Sequence, residues 1–339
     1  MIFVRDLSDR TVLVTGGAGF IGSALVRLLA QQNAQVRVVD NLANGKRENL
    51  SDLASDQVEL IVTDIRNADD MARVLKGADV VYHMACLGVR HSLHSPLENH
   101  EVNAGATLHL LQSARDAGVG RFVCVSTSEV YGMVRFTPIT EDHPTLTKTV
   151  YGASKLAGEN YARAFFETYG FPTTIVRPFN AFGPRSHHEG DSGEVIPKFM
   201  LRCMAGRPLH IFGDGCQTRD FTYVDDTARG IMLAGIVDAA VGETINLGNG
   251  QEISINDLAH MIARQTGRED VEIIHQAPRP GDVLRLLADS RKARELLGYT
   301  PTCELSDGFL ALRLWYDEQG IPAEQLLEQE VVQNWEGNV

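Results

Sequence analysis

The sequence predicts an α/β fold in which helices cover both faces of a doubly wound parallel sheet. Two observations indicate this class. Short apolar strands alternate with amphipathic helices through the first half of the chain, and a glycine-rich turn joins the first strand directly to the first helix. The 339 residues are enough for one large domain and a smaller lobe.

The predicted elements follow one another in the order that such a sheet requires. The strands are Thr11–Thr15, Gln35–Asp40, Val58–Val62, Val80–His83, 121–126 and 173–177, and helices follow at 24–29, 69–76, 103–117 and 151–169. From 179 to 223, glycine, proline and charged residues predict loops around one helix at 196–205. We therefore expect a dinucleotide-binding domain at 1–178, with further core elements returning at about 221–250. Residues 179–339 are expected to form mainly a smaller substrate-binding lobe with C-terminal helices.

The glycine turn has the spacing that binds a dinucleotide in a Rossmann fold. Gly16, Gly19 and Gly22 allow a tight turn and a close approach to a pyrophosphate, and Phe20 and Ile21 begin the helix whose N-terminus receives the phosphates.

An acidic residue at the end of the second strand indicates which dinucleotide binds. Asp40 is at the distance expected for a residue that holds the adenosine ribose hydroxyls, and its charge would repel a 2′-phosphate. The sequence therefore favours NAD over NADP, although Arg37, Lys46 and Arg47 lie near in sequence.

The charge balance excludes several classes of partner. The formal net charge is −13 with no compensating basic cluster, so neither nucleic acid nor an anionic membrane is expected as a partner. The five cysteines lack CxxC spacing and are expected to be reduced. Charges in residues 1–10 and the lack of a long apolar run predict a cytoplasmic protein.

Tyr151 and Lys155 are four residues apart on a predicted helix, so a phenol and an ammonium share one face. A nearby cation stabilises a phenolate, and we therefore expect Lys155 to lower the pKa of Tyr151 and make it a base. On a solvated helix face the same spacing is commonplace, so this motif depends on its neighbours for its meaning.

Taken together, the motifs resemble those of the extended short-chain dehydrogenase/reductase family, specifically its nucleotide-sugar epimerases and dehydratases. The resemblance runs from Thr11 to about Tyr316. It is carried by the glycine turn, Asp40-Asn41, Asp64-Ile65, His83-Met84-Ala85, Ser126 to Gly132, Tyr151 with Lys155, Arg177 to Asn180, Arg219-Asp220-Phe221 and Pro280-Gly281-Asp282-Val283.

The resemblance implies a catalytic set around a transient 4-keto sugar. Tyr151 would take a proton from a sugar hydroxyl, Lys155 would hold the nicotinamide ribose, and Thr127 would orient the reacting oxygen. Thr127 read alone is equally a strand-end cap. Ser128 and Glu129 match the Ser-Glu pair of some nucleotide-sugar 4,6-dehydratases, in which the carboxylate takes the C5 proton, whereas 4-epimerases usually lack that Glu.

The resemblance also implies the residues that bind cofactor and substrate. NAD would contact, besides the residues named above, Asn41, Asp64, Ile65, Ala85 and Phe179. A nucleotide-diphosphate sugar would contact Arg90, His91, Asn180, Phe212, Arg219 and Arg285, of which Phe212 would stack on the nucleobase and the two last arginines would hold the diphosphate. No metal is expected, and the polar loop at 186–191 is not interpreted as a ligand set.

The favoured function is thus a sugar-nucleotide 4,6-dehydratase, with three alternatives. A UDP-glucose 4-epimerase-like enzyme would ignore Glu129, a UDP-glucuronate decarboxylase shares Thr-Ser-Glu, and a degenerate member would only sense a dinucleotide. The apolar faces of helices 103–117 and 151–169 predict a homodimer, with the residues Leu108, Leu111, Ala157, Tyr161, Phe165 and Phe166.

Overall fold

A computed structural model describes residues 4–190, 192–279 and 283–333 and confirms the doubly wound sheet. The strands of the central sheet are β1 (Thr11–Thr15), β2 (Gln35–Asp40), β3 (Val58–Val62), β4 (Val80–His83), β5 (Arg121–Val125), β6 (Thr173–Pro178) and, after three strands of the smaller lobe, β10 (Thr244–Leu247). All seven are parallel, in the order β10-β6-β5-β4-β1-β2-β3. The order reverses between β1 and β4, which is where such sheets bind ligands.

Helices pack against both faces of this sheet because alternate strand residues point to opposite sides. Val12 and Val14 face the layer formed by α1 (Phe20–Gln31), α8 (Val224–Ile236) and α10 (Arg291–Leu297). Leu13 faces the other layer, formed by α2 (Ala68–Leu75), α5 (Ala106–Asp116) and α6 (Val150–Tyr169). Each face thus has its own buried core.

Two short helices and a π-helical turn lie where the sequence predicted only a loop and the start of a helix. They are α3 (Val89–His94), α4 (Pro96–His100) and the turn Glu101–Gly105, so the helix predicted at 103–117 is regular only from Ala106. The Asn103 side chain accepts from the Leu87 amide at 2.9 Å and donates to its carbonyl at 2.9 Å, and thereby holds the loop that follows β4.

The region 179–223 contains more regular structure than predicted. Besides α7 (Val195–Met204) it forms β7 (Asn180–Phe182), β8 (Leu209–Phe212) and β9 (Thr218–Tyr223). These strands were not predicted because they are too short and too mixed in composition to show a clear period. β9 pairs with β7, with β11 (Glu252–Ser254) and with β13 (Arg285–Leu286), and β8 pairs with β12 (Ile273–Gln276).

The smaller lobe has its own core between these strands and four helices. The helices are α7, α9 (Ile255–Thr266), α11 (Leu305–Glu318) and α12 (Ala323–Leu326). Between them the chain returns to the large sheet to add α8 and β10. Among the described residues, no helix combines the length and the apolar character needed to cross a membrane.

Candidate active site

A cavity of about 1170 Å³ lies between the carboxyl ends of the parallel strands and the smaller lobe. The loops after β1, β2, β4 and β5 line one end, and α7, β8 and β9 line the other. This is the position in which open α/β sheets bind ligands. Most of the predicted site residues meet here.

The glycine turn has the shape that a dinucleotide needs. Gly16 is left-handed, with φ of 71°, and a Cβ there would lie 2.8 Å from the Ala85 backbone. A Cβ on Gly22 would overlap the Gly16 carbonyl oxygen. Gly19 caps α1 without a side-chain cap or an acidic first turn, and Phe20 and Ile21 also line the cavity. The first amide groups of α1 therefore face an open space that suits a pyrophosphate.

Asp40 is buried at the end of β2, where it accepts hydrogen bonds from the Ala18 amide at 3.0 Å and the Leu42 amide at 2.9 Å. Burial raises the pKa of its carboxyl, and these two hydrogen bonds oppose the rise. A Cβ on Gly45 would lie 2.7 Å from the carboxylate, so the loop after β2 packs closely against it. Lys46 in that loop pairs at 2.5 Å with Glu189 of the smaller lobe.

Asn41, Asp64, Ile65, Ala85 and Phe179 also line the cavity, as the resemblance implies. Asn41 donates to Asp64 at 3.1 Å. A hydrogen bond from Arg66 to Asp64 is the main reason that the pKa of this carboxyl falls to about 2.

Three residues come together where β5 ends and α6 begins, namely Thr127, Glu129 and Tyr151. Thr127 accepts from the Glu129 amide at 3.2 Å and hydrogen-bonds with the Tyr151 hydroxyl, so the cap and the substrate-facing role are compatible. Thr149 caps α6 and places Tyr151 in its first turn. Ser128 and Glu129 line the same cavity.

The pKa of Tyr151 is shifted in the direction opposite to the expected one. Burial raises the pKa of its phenol well above the usual range, Cys86 and Glu129 add to the rise, and the hydrogen bond with Thr127 opposes it. Lys155 is buried and donates to the Val125 carbonyl at 2.6 Å, and it is absent from the cavity lining. The Lys155 charge instead lowers the pKa of His83, which burial and this charge together bring to about 3.

The residues predicted to bind substrate divide into two groups. Arg90, His91, Asn180, Phe212 and Arg219 line the cavity. Arg219 donates to the Thr218 and Val283 carbonyls, both at 2.7 Å, and Asn180 donates to the Asp220 carbonyl at 3.4 Å. Arg285 is exposed, forms an ion pair with Glu252 and does not line the cavity, so the structure does not bring it to a diphosphate.

Several residues that line the cavity were not predicted from the sequence. Arg279 lies over the Phe212 ring, 5.8 Å from its centroid, and Lys198 and Arg202 project from α7. Burial lowers the pKa of the Lys198 ammonium to about 8, and neighbouring positive charges also lower it. Arg279 directly precedes the Pro280-Gly281-Asp282 motif, which lies outside the described residues, and that adjacency was the available signal. Cys86 follows His83-Met84-Ala85 and contacts the Tyr151 hydroxyl.

The loop at 186–190 bridges parts of the site; Asp191 lies outside the described residues. Glu189 accepts from the His188 amide at 2.9 Å and pairs with Lys46. The Gly190 amide donates to Gln329 at 2.8 Å, and Gly190 forms a bridge with Glu330. The histidines of this loop thus take part in a set of contacts within the protein.

Comparison with known proteins agrees with this geometry. The model of the NAD dependent epimerase/dehydratase family matches residues 12–248. The UDP-glucose 4-epimerase of Mycolicibacterium smegmatis is 38% identical over 301 residues, which are 87% of this chain and 95% of that protein. UDP-glucuronic acid decarboxylase 1 of Xenopus tropicalis is 33% identical over 313 residues, which are 90% of this chain and 72% of that protein.

A solved structure gives the same result. DesIV, a dTDP-glucose 4,6-dehydratase from Streptomyces venezuelae with NAD bound, superposes with a TM-score of 0.84 at 36% identity and covers 91% of this chain and 97% of its own. The glycine turn, the unobstructed start of α1 and the acidic end of β2 fit the same cofactor here. From the family match and this geometry we conclude that the chain belongs to the NAD-dependent nucleotide-sugar epimerase/dehydratase family and is an enzyme whose cofactor is NAD.

Proposed function

We propose that this enzyme is a nucleotide-sugar 4,6-dehydratase that works through a transient 4-keto sugar. The observation that carries the proposal is the position of Glu129. Glu129 lines the same cavity as Tyr151 and Thr127, and its charge acts on the Tyr151 phenol. An acid-base group beside the hydroxyl-handling pair is what a reaction at the carbon next to the ketone requires.

In this proposal each residue handles a defined proton or oxygen. The chemistry that NAD would supply when bound is acceptance of hydride from C4 of the sugar and its return to C6 after water has left. Thr127 holds the C4 oxygen, and Tyr151 takes the proton of the C4 hydroxyl. The resulting ketone acidifies the C5 proton, which Glu129 removes and passes to the departing C6 hydroxyl, so that water leaves. C5 regains a proton when C6 is reduced. The resemblance assigns Lys155 to the nicotinamide ribose, and in this structure its buried ammonium donates to the Val125 carbonyl.

For Tyr151 to act as a base, its proton has to leave against the effect of burial. The Thr127 hydrogen bond already favours the phenolate, whereas Glu129 and Cys86 oppose it. A neutral Glu129 or an added positive charge in the cavity would therefore lower the pKa of Tyr151.

The substrate in this proposal is a sugar joined to the diphosphate of a pyrimidine nucleoside. The similar proteins named above act on UDP-glucose, UDP-glucuronic acid and dTDP-glucose according to their names, and uracil and thymine have the same pyrimidine-2,4-dione ring. Phe212 would offer a face for this ring. Arg279, which lies over Phe212, and Arg219, which lines the same cavity, would hold the diphosphate, and Asn180 would contact the phosphate or the sugar. The free cysteines agree with a reducing compartment such as the cytoplasm.

A 4-epimerase is the second candidate, favoured by the 38% identity to the mycobacterial UDP-glucose 4-epimerase. It would use Tyr151, Thr127 and Lys155 and leave Glu129 without a role. A decarboxylase is the third. Incubation of the purified protein with a panel of UDP- and dTDP-sugars separates them by mass spectrometry. Loss of water supports dehydration, loss of carbon dioxide supports decarboxylation, and an unchanged mass with inverted C4 supports epimerisation.

Glu129→Gln tests the mechanism, because it keeps size and hydrogen bonding but removes the base. We expect formation of the dehydrated product to slow by about 10²–10⁴, a 4-keto sugar to accumulate, and exchange of the C5 hydrogen with deuterated solvent to stop. Tyr151→Phe should abolish the ketone as well.

Glu167→Gln, on the exposed side of α6, removes the same charge far from the cavity and should leave the rate unchanged. If Glu129→Gln turns over within a few-fold of the parent and inverts C4 without loss of mass, the dehydratase proposal fails and the epimerase replaces it.

A further inference from the structure

His210 and Phe212 lie on one side of β8 and line the cavity, which Ile211 of the same strand also reaches. Alternate residues of a strand point to the same side, and Leu209 and Ile211 are buried in the core of the smaller lobe. His210 and Phe212 both line the cavity. We propose that His210 is a specificity-determining residue that donates a hydrogen bond to a carbonyl oxygen of the pyrimidine base stacked on Phe212. This inference rests on the substrate class proposed above.

Gln276 determines which nitrogen of the imidazole carries the proton. β12 pairs in parallel with β8 and places Gln276 opposite Phe212 in register. The Gln276 amide nitrogen lies 2.5 Å from His210 Nδ1. An amide nitrogen can only donate, so Nδ1 accepts and the proton of the neutral ring is on Nε2. Because Gln276 is not part of the cavity lining and His210 is, the Nε2–H edge is the one left for a ligand.

This arrangement of Gln276 has a cost that its packing does not explain. With the amide nitrogen on His210, the amide oxygen is buried and has no hydrogen-bond partner among the described residues. Leaving a buried acceptor unpaired typically costs about 1–3 kcal/mol. Violations of this kind concentrate at functional sites, where a group is held for what it does to a neighbour. Here the neighbour is His210, and the effect is a fixed donor that faces the cavity.

The groups around His210 keep its ring neutral. Burial lowers the pKa of the imidazole, Arg202 from α7 lowers it further, and Glu330 from the segment after α12 opposes the change. Arg202 and Glu330 are themselves buried and paired, with 2.9 and 2.8 Å between their atoms. Arg202 also donates to the Pro208 carbonyl at 2.8 Å, just before β8. A neutral ring with a single donor suits a carbonyl oxygen better than another donor.

The test is calorimetric binding of UDP, 2-thio-UDP and 4-thio-UDP to the NAD-loaded enzyme. Sulfur is a weaker acceptor than oxygen, so replacement of the contacted carbonyl should weaken binding to the parent enzyme by about tenfold, the size of one hydrogen bond. His210→Ala should bind UDP about tenfold more weakly and should no longer distinguish UDP from that thio analogue. His210→Gln, which keeps a donor, should restore part of the preference.

His275→Ala is the matched control. His275 is on the neighbouring strand, is exposed and hydrogen-bonds with Asn256, so UDP binding should not change. Phe212→Ala should weaken UDP and both thio analogues alike. The proposal is overturned if His210→Ala binds UDP as the parent does, or if it still distinguishes the thio analogues. UDP binding does not depend on Glu129, so this result is independent of the dehydratase test, and tighter binding of GDP than of UDP would show that the proposed substrate class is wrong.

Discussion

At the scale of single residues, the site combines a few side chains whose surroundings decide their roles. Tyr151 and Lys155 share a helix face, but the Lys155 ammonium is held at the Val125 carbonyl and the Tyr151 pKa is raised. Spacing alone could not show this, because burial and the contact with Cys86 arise from distant parts of the chain. Asp40 and the glycine turn were predictable, since their role depends on local backbone geometry.

Asp40→Ala tests the preference for NAD at the ribose. The variant should bind NAD about 10-fold or more weakly, because a charge-assisted hydrogen bond to the ribose is lost. NADP should be affected less, because removal of the carboxylate also removes repulsion of the 2′-phosphate. Equilibrium titration with both dinucleotides measures the ratio.

Asp56→Ala is the control for this experiment, because Asp56 is exposed in the loop before β3 and does not line the cavity. Its affinities for NAD and NADP should equal those of the parent. If Asp40→Ala weakened the binding of NAD and of NADP equally, Asp40 would not be the residue that contacts the ribose.

At the scale of elements, a buried ion pair connects α6 with β6. Arg177 donates to Glu159 at 2.9 and 2.6 Å, and both side chains are buried. Arg177 also donates to the Tyr131 hydroxyl at 2.9 Å, and Tyr131 donates to Asn246. This network joins two strands, β6 and β10, to α6 and to the segment that follows Glu129.

Glu159→Ala should be strongly destabilising because it leaves the Arg177 charge buried and unpaired. We expect the free energy of unfolding to fall by about 3–5 kcal/mol. Urea denaturation followed by circular dichroism measures the loss. Glu167→Ala, on the exposed side of the same helix, should change stability by less than about 0.5 kcal/mol. A loss below about 1 kcal/mol in Glu159→Ala would contradict the structural role assigned to the pair.

The elements that the sequence predicted well are those with a long regular pattern. β1 to β4 match their predicted bounds, and α6 differs by one residue because Thr149 caps it and Gly170 ends it in the left-handed conformation. β7, β8 and β9 escaped because each is short and gains its stability from partners far away in sequence. His210 escaped for the same reason, since its role depends on a strand that was not predicted.

At the scale of the whole molecule, the chain passes from the large sheet to the smaller lobe and back again. The cavity lies between the two. The large sheet contributes the residues proposed for NAD and for the reaction, and the smaller lobe contributes Phe212 and Arg219. The proposed homodimer also belongs to this scale. Of the residues predicted for its interface, Leu111 and Phe165 are buried on their own sheet and are not available, whereas Leu108 is 37% exposed.

The exposed apolar surface on this side is formed mainly by other residues, namely Leu93, Leu97 and Val150, at 51%, 79% and 41% exposure. We expect light scattering at micromolar concentration to show a dimer whose interface is formed by this surface and Leu108. Leu97→Asp with Leu108→Asp should give monomers. Leu314→Asp, on α11, should not. A monomeric parent protein would exclude the dimer.

The ion pair between Arg202 and Glu330 has a consequence for the order in which a newly made chain becomes functional. The predicted NAD contacts all precede Asn180, whereas Glu330 and Val332 follow every strand of the central sheet and complete the wall near Phe212. Synthesis proceeds at about 5–20 residues per second. The central sheet and the layer against α1 are complete once α10 has been made. A nascent chain then contains every predicted NAD contact, and it lacks Glu330 and Val332 of the cavity lining for about 2–7 s more. Cofactor capture would precede substrate capture on the ribosome.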